Sequence, residues 1–148
     1  MNGYRYILLL HVLGATIWTG GHLVLATRIL PAALRQRSAA TLLAFEQRYE
    51  AIGLPALALQ VATGVWLAWH LVPLSLWLSW SNPVSRMLVL KFSSLAITIA
   101  FALDARFRVL PRLRDDNIRS MLPHIITVTT LAVVFVIAGV GIRTGGWS

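Results

Sequence analysis

The chain has 148 residues, a net charge of +8, no cysteine and only 12% charged residues, with a mean hydropathy of +0.73. These values exclude an ordinary soluble domain, because the uncharged runs are too long for buried core helices. The lack of cysteine excludes disulfides, thiolate metal sites, iron–sulfur clusters and covalently attached c-type haem.

Four apolar spans follow in order. The first covers about residues 4–30, with Pro31 punctuating its end; its apolar run continues past His22, too far for a cleaved signal peptide. The connection PAALRQRSAATLLAFEQRYE contains an amphipathic piece in which Leu42, Leu43, Phe45, Tyr49 and Ile52 suit the membrane interface, while Glu46, Arg48 and Glu50 face water. The second span covers about 53–71, with Pro55 in its first turn, and ends in a belt of Trp66, Trp69, Trp77 and Trp80. Ser81-Asn82-Pro83 reads as a cap followed by proline at a helix start, opening a third span over about 83–107. The fourth covers about 121–142, with Pro123 in its first turn. The pattern predicts an all-α integral membrane protein, a single four-transmembrane-helix bundle over residues 1–148 without internal repeats.

Orientation follows from the basic residues. The first connection holds Arg28, Arg35, Arg37 and Arg48, and the third holds Arg106, Arg108, Arg112, Arg114 and Arg119; the opposite side has Arg5, Arg86 and Arg143. The positive-inside rule places both basic connections in the cytoplasm and both termini on the outer, periplasmic side of a bacterial inner membrane. Charge arranged in this way answers to a bilayer and not to nucleic acid.

The candidate chemistry begins in the first span, where His11 and His22 share one helix face roughly 16 Å apart. Ala15 and Trp18 lie on the same stripe, and Gly14 and Gly21 leave a groove beside it for a flat ligand or a close neighbour helix. Depth pairs His11 with His70 on the outer side and His22 with His124 on the inner side. Lys91 comes to about the depth of His11, with Ser94 and Thr98 on its own face. A lysine in hydrocarbon costs ~2.5 kcal/mol or more, and no acidic residue lies deep in the spans to offset it, which favours an anionic ligand.

Haem meets that need: its propionates are anionic, its iron takes imidazole, and Arg5, Arg86 and Arg143 lie on the side where propionates would point. Copper would use the same histidines with methionine. Met121 and His124 are three apart, with His22 near in depth, and Met87 lies four residues from Lys91. Ordinary alternatives stand beside both readings: helix–helix hydrogen bonds for His11 and His22, an interfacial place for His70, and close helix contact at the glycines.

On HVLGATIWTGGHLVLATRILPAALR, FEQRYEAIGLPALALQVATGVWLAW, SNPVSRMLVLK, ARFRVLPRL and the ending LAVVFVIAGVGIRTGG, the chain resembles the copper resistance protein D (CopD) family of membrane proteins. The first three segments are also similar to the HemJ type of protoporphyrinogen oxidase, a haem b membrane protein whose key histidine and lysine would fall on His11 and Lys91; the ending departs from that type. The resemblance implies a bundle handling haem, copper or both. The first expectation is one or two b-type haems: His11, supported by His70 or Lys91 with Arg86 and Arg143, would hold the outer site, and His22 with His124 an inner one. They would relay electrons from a redox partner or oxidise a small or quinone-like, membrane-soluble substrate. The alternative is a copper transporter or copper-binding protein using His11, His22, His70, His124, Met121 and Met87. A structural subunit would hold neither metal. Broad apolar faces would serve lipid or a homodimer alike.

Overall fold

A computed structural model describes residues 2–145, and among them every regular element is helical. The long helices are α1 (Asn2–Val24), α3 (Ala39–Leu71), α4 (Pro83–Asp104) and α5 (Leu122–Arg143), with a short α2 (Leu30–Gln36) following α1. Four continuous stretches, Gly3–Gln36, Ala39–Leu71, Pro83–Arg112 and Ile118–Arg143, are long and apolar enough to cross a membrane. Leu9, Leu13, Ile126 and Ile137 stand exposed away from the cavities between the helices. Such surfaces belong in lipid, where each helix satisfies its own backbone.

Two boundaries differ from the sequence expectation, and both corrections concern proline. Pro31 does not end the first helix: Leu25–Ile29 forms a π turn, and α2 continues from Leu30 with Pro31 in its first turn. A proline ring clashes with the carbonyl four residues earlier, and the wider turn makes room for it. The third span repeats the device. Ala105–Val109 is a π turn, and Pro111 sits in the 3-10 turn Leu110–Arg112 that follows. Arg28-Ile29-Leu30-Pro31 and Arg108-Val109-Leu110-Pro111 thus share both sequence and geometry, a local repeat that the sequence reading did not find.

The second correction concerns 39–52. These residues do not form a separate piece at the interface with a new helix starting at Gly53; α3 is one helix of 33 residues with Pro55 inside it. Its amphipathic face turns inward. Leu42 is fully buried in a cluster with Leu25, Leu30, Ala33, Met121 and Ile125, and Leu43 and Phe45 pack against it. Asn82 caps α4 as expected, its side-chain oxygen accepting from the backbone N–H of Val84 at 2.9 Å and of Ser85 at 3.3 Å.

The helices pack in two pairs, α1 on α3 and α4 on α5, joined chiefly where α1 meets α5. At Gly14 the first pair is so close that a Cβ would come within 2.9 Å of the Ala56 carbonyl oxygen. Thr19 donates to the Ala132 carbonyl at 3.4 Å and Thr129 to the His22 carbonyl at 3.3 Å across the α1–α5 seam. The end carrying the basic connections is closed by the Leu42 cluster. There Asp115, from the α4–α5 connection, accepts the N–H of Ala39 at 2.6 Å and so caps α3 from outside its own segment. Toward the opposite end Ala68 and Val72 pack with Leu88 of α4, with Ile142 of α5 against them, and space remains among the four long helices.

Candidate functional site

That space is a wide cavity of about 610 Å³ to which all four long helices contribute, and a narrower cavity of about 220 Å³ lies toward the basic connections. The stripe on α1 serves both: His11 lines the wide cavity and His22 the narrow one, with Trp18 packed between helices against Val128 and Ala132.

In the wide cavity, Nδ1 of His11 lies 3.0 Å from the Thr63 hydroxyl, which itself donates to the Leu59 carbonyl at 2.6 Å. The hydroxyl proton is committed to Leu59, so His11 donates through Nδ1 and keeps its lone pair on Nε2. The ring lies against Gly64, where a Cβ would come within 2.9 Å of its Cε1. Lys91 and Arg143 also line this cavity, and among the described residues no carboxylate does. Lys91 reaches across to α5, its Nζ 3.6 Å from where a Cβ on Gly139 would stand, and no ion pair among the described residues engages it. Arg143 donates to the Tyr4 hydroxyl at 3.0 Å. The side-chain oxygen of Gln60, a buried residue of the same wall, has no hydrogen-bond partner among the described residues.

His70 lines neither cavity. Its ring stacks on Trp66 at 3.8 Å, its Nδ1 donates to the Trp66 carbonyl at 2.8 Å, and it faces outward. The expected pairing of His11 with His70 is therefore not brought together. Arg5, Arg86 and Met87 also lie off both cavity walls; of the three arginines on that side only Arg143 reaches the wide one.

The narrow cavity gathers His22, Met121, His124, Tyr49, Glu46 and Glu50. His22 donates through Nδ1 to the Trp18 carbonyl at 2.9 Å, which leaves Nε2 as its lone-pair nitrogen. His124 is held differently. Its Nε2 lies 2.8 Å from the Asp104 carboxylate and its Nδ1 3.3 Å from the Ser120 carbonyl, so both nitrogens are already engaged by protein oxygens. Glu50 is paired with Arg106 of the second π turn. Among the described residues no three histidine, aspartate or glutamate side chains gather as a metal cluster. The donors free to face a soft ion are therefore the His22 imidazole and the Met121 thioether.

The groove expected at Gly21 for a flat ligand holds the chain's own tyrosine: a Cβ on Gly21 would overlap the ring of Tyr49. With that slot filled and only about 220 Å³ open, the narrow cavity falls below the range of cofactor-sized sites, and the second, inner haem does not fit it. Sequence reasoning missed Tyr49, Gln60 and Thr63. For Tyr49 a signal existed in the glycines at 21 and 53, whose missing side chains admit its ring.

No curated protein and no solved structure matches the chain. A family model does, that of copper resistance protein D, over residues 43–143. The match takes in the narrow cavity's α3 residues, the second π turn, and all of α4 and α5, while α1 with His11 and His22 precedes it. This multi-pass membrane chain therefore belongs to the copper resistance protein D family.

Proposed function

We propose that this membrane protein handles copper(I) as its cargo, bound in the narrow cavity between Nε2 of His22 and the sulfur of Met121. The observation that carries the reading is that both residues line one cavity while Nδ1 of His22 is already committed to Trp18. Imidazole and thioether together suit the soft monovalent ion. Electrostatics separates the cavities in the same sense: Glu46 stands at the narrow one beside the Glu50–Arg106 pair, whereas Lys91 and Arg143 at the wide one repel a bare cation. Membership of the family supports a copper-related role. In this reading the basic connections face the cytoplasm of a bacterial inner membrane, and copper exchanges on that side.

A second reading is favoured by the wide cavity. The lone pair on His11 Nε2 and the two unopposed cations fit one b-type haem, with His11 as the iron ligand and Lys91 and Arg143 facing its propionates. Bound there, haem would supply one-electron redox chemistry. The residues of this chain would hold its ring and exclude water from it.

One preparation tests both readings. Protein purified in detergent from cells supplied with haem precursor is analysed for copper after Cu(I) loading, for pyridine haemochrome, and for its oxidised and dithionite-reduced visible spectrum. The copper reading expects about one copper per chain, lost in His22→Ala and in Met121→Leu. A Soret band that shifts on reduction and is altered in His11→Ala carries the haem reading instead. A colourless protein that takes up no copper sinks both and leaves a structural subunit.

A further inference from the structure

Tyr49 stands at the α1–α3 contact in a way that packing alone does not require. Its hydroxyl donates to the carbonyls of Ile17 at 3.2 Å and Trp18 at 3.0 Å. The Trp18 oxygen is the same atom that accepts Nδ1–H of His22 at 2.9 Å. The tyrosine ring fills a slot opened by glycine on both helices: a Cβ on Gly21 would overlap it, and one on Gly53 would stand 2.8 Å from its Cε1. Around it lie Phe45, stacked at 5.5 Å, His22, edge-on at 5.5 Å, and Trp18 at 6.4 Å, itself 4.3 Å from His22.

A carbonyl at this point in a helix would accept a side-chain proton only as well as its direction allows. The Tyr49 hydroxyl fixes that carbonyl against α3, and the carbonyl in turn fixes which nitrogen of His22 carries the proton. A ligand imidazole depends on such an outer partner for its tautomer and its ring orientation. We propose that Tyr49 is the positioning residue of the metal site: through the Trp18 carbonyl it holds the proton of His22 on Nδ1 and presents Nε2 to the ion in the narrow cavity. The proposal rests on the copper reading above for its ligand, but the proton position on His22 stands apart from that reading. Two consequences distinguish it from a packing role. Its effect requires the hydroxyl and not the ring, and it vanishes when His22 is absent.

The test compares Tyr49→Phe, His22→Ala and the double variant, in the full chain in detergent. Cu(I) affinity is read by competition with a chromophoric Cu(I) chelator, and the His22 ring is read by ¹⁵N NMR of the copper-free protein. Phenylalanine keeps the ring in its slot, so the fold persists. The expected result is a loss of about 10- to 100-fold in affinity in Tyr49→Phe, no further loss when Tyr49→Phe is added to His22→Ala, and a His22 proton shared between its two nitrogens. Unchanged affinity in Tyr49→Phe overturns the proposal, as does an equal loss in the presence and absence of His22. If the unaltered protein takes up no Cu(I), the copper reading has failed and the NMR decides the positioning role alone: an unchanged His22 spectrum in Tyr49→Phe overturns that too.

Discussion

His11 and His22 share one face of α1 yet meet different chemistry, because each is defined by what its Nδ1 touches and what faces its Nε2. His11 gives its proton to Thr63 beside two cations, and His22 gives its own to a carbonyl beside Glu46 and the Glu50–Arg106 pair. The adjacent glycines show the same dependence on surroundings. Around Gly20 a Cβ meets nothing within 4 Å, whereas at Gly21 it would overlap the Tyr49 ring. Gly20→Ala is therefore expected to leave thermal stability in detergent unchanged or slightly raised, since alanine is the better helix former. Gly21→Ala should cost about 1–3 kcal/mol by overpacking, read as a lowered unfolding midpoint. Equal midpoints in the two variants would remove Tyr49 from the slot. The histidines and Lys91 were legible in the sequence because ionisable groups are conspicuous in apolar runs. Their partners were not, since Thr63 and Tyr49 reach α1 from more than 30 positions away, and no periodicity within α1 points to them.

At the scale of the elements, hydropathy identified the four spans and Asn82 identified the start of α4. Proline and amphipathicity misled where the bundle supplies what a lone helix lacks. Pro31 reads as a stop because a proline removes a helix hydrogen bond, but a π turn ahead of it, as ahead of Pro111, lets the chain continue, an adjustment that membrane helices tolerate. The polar-and-apolar pattern of 39–52 fits an interface as well as a packed helix end. What decides it is the core of Leu25, Leu42, Leu113, Ile118 and Met121, drawn from both connections. Asp115 secures that arrangement by capping α3 from the other connection. Loss of a capping oxygen costs about 1 kcal/mol, so Asp115→Ala should lower stability by that amount, while Asp115→Asn keeps an acceptor and should cost less. Hydrogen exchange should report the same change locally, with faster exchange at Ala39 and its neighbours in Asp115→Ala alone.

For the whole molecule, the two cavities differ in their charged lining, a polarity along the bundle: Lys91 and Arg143 at the wide one, Glu46 and the Glu50–Arg106 pair at the narrow one near the basic connections. The direction in which that polarity points depends on orientation. Arg28, Arg35, Arg37 and Arg48 in one connection, and Arg106 through Arg119 in the other, outnumber the three arginines of the opposite side. By the positive-inside rule an excess of that kind, in short connections close to the spans, predicts that they face the cytoplasm. The chain has no cysteine of its own, so single substitutions report topology without background. In intact cells Ser79→Cys, in the short α3–α4 connection, should react with a membrane-impermeant maleimide. Arg37→Cys and Arg114→Cys should react only after the cells are opened. The reverse pattern would turn the narrow cavity toward the periplasm. Copper bound by His22 and Met121 would then exchange with the outside of the cell, and the basic connections would have to be held there against the charge rule by the packing of their own core.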